Sequence, residues 1–176
     1  MPLLDIVGVD ALKRTFCIAF AFLSGEDEDD FGWALSRLRG IYDLNGITPP
    51  GVILTDRCLA CINALGFSDC FPRSYVMLCN WHITNAVTVN CKPSFFSDSG
   101  DPENGERWKE FLDFWSDIVR SPTQDIYYER LRKFKVKYVP THLNEVGYCI
   151  ENWLTLYKER FLPQELRAFT DLSNHI

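Results

Sequence analysis

The sequence predicts an α/β domain over residues 1–91 followed by an all-helical region over residues 92–176. Three observations carry this. Two apolar runs lie close together at the amino terminus, and an apolar run ending in an acid is followed at once by a helical stretch and another short apolar run. Beyond these, aromatic residues recur at helical spacing between residues 105 and 170.

Leu3–Val9 is apolar and β-branched, and Thr15–Leu23 is a second apolar run. The polar link Asp10–Arg14 is short enough to make them a hairpin. Neither run alternates cleanly, which predicts a sheet covered on both faces. Ser24 is the candidate N-cap of the next helix. The acids Glu26–Asp30 sit in its first turns, where the helix dipole favours negative charge. Phe31, Ala34, Leu35, Leu38, Ile41 and Tyr42 share one helical face, and Asn45-Gly46 with Pro49-Pro50 ends the helix.

Gly51–Asp56 reads as a buried strand ending in an acid, Leu59–Leu65 as a helix, and Ser74–Cys79 as another strand running into Asn80-Trp81-His82. Lys92–Gly105 is rich in Pro, Ser, Gly and Asp and reads as a loop. Three helices follow. Glu106–Val119 presents Trp108, Phe111, Leu112, Trp115 and Val119, and Asp125–Tyr138 presents Tyr128, Leu131 and Phe134. The third is Val146–Phe161.

Composition narrows the function. The chain has 176 residues, 47% of them hydrophobic and 14% aromatic, which suits one domain with a sizeable core. No run has the length of a membrane-spanning helix, and the amino terminus lacks a basic signal-peptide region. These features predict a protein that is not secreted and has no membrane partner. Seven scattered cysteines fit reduced thiols better than a disulfide framework. The net charge is -6. Phosphate binding draws on Lys and Arg, so an acidic chain is a poor DNA binder by itself.

Asp56 is the first candidate for chemistry. A carboxylate at the carboxyl end of a strand, just before a helix, stands where open α/β sheets build their sites. It suits Mg²⁺, which takes oxygen ligands and keeps several waters. Asp is equally a favoured N-cap for the helix that follows. Cys79 and His82, in Cys-Asn-Trp-His, form half of a tetrahedral zinc site, but no partner pair is in sight and His142 and His175 are isolated. A buried thiol and a hydrogen-bonded histidine are the preferred reading over zinc. Cys58-Leu59-Ala60-Cys61 is the nearest approach to a metal pair, and no second pair follows at zinc-ribbon spacing. The acids Glu26–Asp30 read as a solvated helix start. The aromatic stripe Trp108, Phe111, Trp115 reads as core, with base stacking as its alternative. Glu151 and Glu159 are acids within a predicted helix, where surface is the usual place.

Together these residues resemble a family. Met-Pro-Leu-Leu-Asp-Ile-Val-Gly-Val-Asp, Thr-Phe-Cys-Ile-Ala-Phe-Ala-Phe-Leu-Ser-Gly-Glu and Phe-Gly-Trp-Ala-Leu resemble the opening of the Mutator-like (MULE) transposase domain. Val-Ile-Leu-Thr-Asp-Arg and Leu-Cys-Asn-Trp-His resemble its middle. The match in order and spacing covers residues 1 to about 91. Trp-Lys-Glu-Phe and Tyr-Cys-Ile-Glu-Asn-Trp-Leu resemble the family's all-α insertion more weakly.

The resemblance implies an RNase H-like mixed sheet and an Asp-Asp-Glu triad holding two Mg²⁺ or Mn²⁺ ions for phosphodiester cleavage and strand transfer. It implies transposon-end DNA as partner and the nucleus as location, with the cytoplasm open to a fragment. A homo-oligomer is compatible with it. Asp56 falls on the second Asp of the triad and would be both catalytic and a metal ligand. Cys79 and His82 fall on the family's Cys-x-x-His motif near the active site.

Two triad motifs have no counterpart in the sequence. The first is an Asp-x-Thr-Tyr-Lys-Thr-Asn strand expected before Met-Pro-Leu-Leu, the second a Thr-Thr-x-Arg-x-Glu helix expected after Asp171–Ile176. Asp5, Asp10 and Glu151 match neither. The expectation is a fragment, incomplete at both ends, that holds no metal tightly and does not cut DNA alone. The first strand of this fold is central, so its absence leaves two edges open and predicts marginal stability. The alternatives are a transposase-derived transcriptional regulator and a protein-interaction module. The latter would show an exposed aromatic patch around Trp108 and Trp115.

Overall fold

The computed structural model describes residues 1–67, 70–97 and 101–160. It divides into two compact units, Met1–Met77 and Leu78–Ile176.

The first unit has a mixed α/β fold with two small sheets. Strands β1 (Leu3–Val9) and β2 (Thr15–Phe22) form an antiparallel hairpin with Leu3 opposite Phe22 and Val9 opposite Thr15. Asp10 shapes the turn. Its carboxylate accepts the N–H groups of Leu12 and Arg14 at 2.9 Å and the Arg14 Nε–H at 2.8 Å. Those bonds, the Arg14 backbone bond foremost, hold its pKa below the usual carboxylate range. The register slips between Ile6 and Val7, which leaves Ile18 as the extra residue of a bulge on β2. The sheet is not covered on both faces: β1 alternates strictly between exposed and half-buried positions, and on β2 the bulge interrupts the alternation. Leu4, Ile6, Ile18, Ala19 and Ala21 pack on the core, while Leu3, Val7, Val9, Phe20 and Phe22 on the other strand positions are exposed. Gly8 lies opposite Phe16, whose ring covers it: a Cβ at Gly8 would stand 2.4 Å from the Phe16 Cζ.

Helix α1 spans Glu28–Leu44. Its cap is Asp27, not Ser24. Asp27 and Asp30 form a reciprocal capping box, and Ser24 donates its hydroxyl to the Asp30 carboxylate instead. That serine contact is the leading cause of the lowered Asp30 pKa. Asn45 caps the far end, and Gly46 turns the chain at φ 62°.

Strand β3 (Val52–Thr55), helix α2 (Leu59–Phe67) and strand β4 (Tyr75–Leu78) follow, with β3 and β4 paired. The Tyr75 N–H donates to the Gly51 carbonyl at 2.9 Å. This ties the starts of both strands together, so they run parallel as a βαβ unit. Leu23, Phe31, Ala34, Leu35, Leu38, Ala64, Leu65 and Phe71 make the core, and residues of both sheets pack against it. Arg39 anchors α1 further. It pairs with Asp43 at 2.9 Å and donates to the Cys70 carbonyl at 2.8 Å.

Among the described residues the second unit is helical after Leu78. Helix α3 (Asn80–Phe95) runs on through Pro93 into the segment expected to be a loop. The reason is tertiary: Cys91 and Phe95 are both buried, and Phe95 stacks flat on His142 at 4.0 Å. Burial thus outweighs the unfavourable Pro and Ser of the last turn. Helices α4 (Asn104–Val119) and α5 (Gln124–Tyr138) form an antiparallel-type hairpin of helices joined by four residues, with Thr123 capping α5 through the Ile126 N–H. On α5 the buried positions are Tyr127, Phe134 and Tyr138; Tyr128, expected inside, is exposed. Helix α6 (Leu143–Cys149) passes into a π-helical turn over Ile150–Thr155 and a 3₁₀ turn over Lys158–Arg160. The expected single helix is therefore three segments. The widened turn lets the consecutive residues Trp153 and Leu154 both enter the core. Phe161, at the end of that expected helix, His175 and Asp171–Ile176 lie outside the described residues.

Candidate functional site

Asp56 follows the last residue of β3 directly and its side chain is exposed. One carboxylate oxygen, Oδ1, accepts the Cys58 backbone N–H at 3.0 Å. This is a local Asx turn, so Asp56 shapes the entry to α2 without being spent on it. A carboxylate has about four acceptor positions, and this bond uses one. The remainder suit a hard cation that keeps most of its waters.

The residues beside it are arranged by the same turn. The Cys58 carbonyl accepts the Ile62 N–H at 2.9 Å, which makes Cys58 the cap of α2. Thr55, the end of β3, donates its hydroxyl to Cys61 Sγ at 3.7 Å. Burial pushes the Cys61 thiol pKa up; Thr55 opposes this, and Cys58 and Asp56 add to it through their charge.

Cys79 and His82 open the second unit. Cys79 is the half-buried N-cap of α3 with extended backbone, and its carbonyl accepts the Ile83 N–H at 3.1 Å. Its thiol makes no capping bond. His82, three residues on, shares that first turn and is exposed, with its ring edge-on to Trp81 at 4.9 Å. Among the described residues no three His, Cys, Asp or Glu side chains stand together to hold a metal ion. Asp56 thus offers one ligand to a cation, not a set.

The other acids have different work. Asp10 is occupied by its hairpin turn, Asp5 is exposed opposite Phe20 on the hairpin, and Glu151 and Glu159 are exposed on the last helical segments. Trp108 is 7% exposed and Trp115 1%. Their rings are core, so the aromatic patch that base stacking or partner docking would need does not form there. No helix of the described residues is long and apolar enough to cross a membrane.

What sequence reasoning passed over is the pairing of Cys58 and Cys61 on the first turn of α2. The Cys-x-x-Cys spacing was the signal.

Residues 1–86 match the family model of the MULE transposase domain, and that stretch contains Asp56, Cys79 and His82. The chain therefore carries a MULE-like domain over part of its length, and the residues after 86 fall outside the match. Among curated proteins, the PKS-NRPS hybrid synthetase cheA of Chaetomium globosum is 29% identical over 117 residues, which cover 65% of this chain. The shared stretch is 2% of that protein's length.

Proposed function

We propose that this chain is part of a Mutator-like transposase catalytic domain, with residues 1–91 as a portion of an RNase H-like core and residues 92–176 as its all-helical insertion region. The observation that carries the reading is a coincidence. The MULE match over residues 1–86 contains an exposed carboxylate, Asp56, at the end of a strand in a βαβ unit. The two separate two-stranded sheets over one core support the RNase H-like assignment. In that fold the first strand would lie between β1 and β3 and join them into one mixed sheet.

In this reading Asp56 is the second acid of the triad and would bind Mg²⁺ or Mn²⁺ together with further acids, since among the described residues no group of three ligands stands at it. Asp56 would hold such an ion, which when bound would supply Lewis-acid activation of the attacking oxygen and charge stabilisation at the phosphodiester. Cys79 and His82 would be the family's Cys-x-x-His motif. The substrate is the DNA of transposon ends, gripped mainly by basic surface outside this acidic chain. The place of action is the nucleus. By itself the chain does not cut DNA. The stretch shared with a synthetase, at 2% of that protein, brings none of the named synthetic chemistry with it.

The test has two arms. Supercoiled plasmid incubated with the 176-residue chain and Mg²⁺ or Mn²⁺ should stay unnicked; nicking would overturn the claim of inactivity. Genomic and transcript sequence on both sides of the reading frame should extend it in frame to an Asp-x-Thr-Tyr strand and a Thr-Thr-x-Arg-x-Glu helix. Stop codons on both sides would leave Asp56 without partners and end the catalytic reading.

A further inference from the structure

The transposase reading gives no role to Cys58-Leu59-Ala60-Cys61. Both cysteines are half-buried, and both pack against the core of the first unit. Cys58 caps α2 and Cys61 lies in its first turn, so the two side chains are neighbours on one turn. The turn is held at both positions: Asp56 Oδ1 accepts the Cys58 N–H at 3.0 Å, and the Thr55 hydroxyl meets Cys61 Sγ at 3.7 Å. A Cys-x-x-Cys that opens the helix of a βαβ unit is the arrangement that supports reversible dithiol chemistry. A metal is the rival occupant, but among the described residues no third ligand joins the pair.

We propose that Cys58 and Cys61 are a redox-active dithiol that closes to an intramolecular disulfide by exchange with a low-molecular-weight disulfide such as glutathione disulfide. The sulfur of one cysteine attacks one sulfur of the reagent. The reagent's S–S bond breaks, and the departing thiolate takes up the proton that the attacking thiol gives up. The second cysteine then attacks the mixed disulfide at the protein sulfur and expels the second reagent thiol, which again leaves with the proton. Two protein thiols are oxidised, one disulfide is reduced to two thiols, and no metal takes part. The inference does not depend on the transposase reading.

The full chain is equilibrated with glutathione disulfide and glutathione, free thiols are trapped by alkylation, and peptides are mapped by mass spectrometry. In the unmodified chain a linked Cys58–Cys61 peptide should form with little glutathione adduct. Cys61→Ser should accumulate the adduct on Cys58, and Cys58→Ser on Cys61. Each should rise roughly tenfold or more, because a tethered thiol acts at millimolar or higher effective concentration. Equimolar phenylarsine oxide, which bridges neighbouring thiols, should protect both cysteines of the unmodified chain from alkylation, a reading that needs no variant to fold. Equal adduct levels in the unmodified chain and the variants with no linked peptide, or no protection by the arsenical, would overturn the proposal.

Discussion

Asp56 has two properties that substitution can separate: an oxygen that accepts the Cys58 N–H at 3.0 Å, and a negative charge on an exposed side chain. Asp56→Asn keeps an acceptor oxygen and removes the charge. Asp56→Ala removes both. One local hydrogen bond of this kind is worth about 0.5–1.5 kcal/mol, and loss of a capping side chain costs about 1 kcal/mol. Asp and Asn serve nearly equally in such turns, so Asp56→Asn should stay within about 0.5 kcal/mol of the unmodified chain. Urea unfolding followed by far-UV circular dichroism resolves the difference. With a slope of about 1–3 kcal/mol/M, the alanine variant should lose about 0.3–1 M in its midpoint. The asparagine variant should lose much less. If asparagine proves as damaging as alanine, the charge itself is structural. Asp56 would then be a structural turn residue rather than a carboxylate left available for a metal.

Two further predictions concern the second unit. Phe111 is fully buried, with its ring centroid 5.0 Å from Phe95, 5.1 Å from Phe134 and 5.0 Å from Tyr138. Phe111→Ala should cost about 3–5 kcal/mol in urea unfolding, and a loss below about 1 kcal/mol would mean that these rings do not form the core. Burial, with a smaller contribution from Tyr128, pushes the Tyr127 phenol up from 10 to about 12. A raised phenol pKa contributes stability below the unfolded value of 10, and that stability is lost as pH rises towards 12. The loss is about 2–3 kcal/mol, because one pKa unit is worth about 1.4 kcal/mol. Tyr127→Phe should flatten the fall in melting temperature between pH 10 and 12, and an unchanged slope would refute this origin.

Much of the fold was legible in the sequence, because periodicity and turn chemistry agreed. Apolar runs with Asp10–Arg14 between them gave the hairpin, and Phe31 to Tyr42 at helical spacing gave α1. The departures have local causes. Ser24 lost the cap to Asp27 because the reciprocal bond with Asp30 satisfies two backbone donors where a serine satisfies one. Pro93 and the small polar residues around it signalled a loop, but the burial of Cys91 and Phe95 carries α3 past them, a tertiary effect invisible to local pattern. The π turn after Cys149 is equally tertiary, set by Trp153 and Leu154 entering the core together. Of the candidate site, the strand-end position of Asp56 was readable because an apolar run ended in an acid. The burial of Trp108 and Trp115 followed from their spacing. The Cys58–Cys61 arrangement is not legible in the sequence, since a Cys-x-x-Cys gains meaning only where a helix starts at its first cysteine.

The role proposed for Asp56 is that of a metal-binding acid in a transposase active site. It is tested most directly by expressing the full in-frame product of the locus, incubating it with labelled transposon-end DNA and Mg²⁺, and comparing it with its Asp56→Asn variant. The unmodified protein should cleave the strand in a metal-dependent reaction. The variant should lose more than about a hundredfold, the upper range reached when even an outer-shell partner of a metal is removed. The variant's melting temperature should not change. Cleavage that persists at full rate in Asp56→Asn would contradict that role.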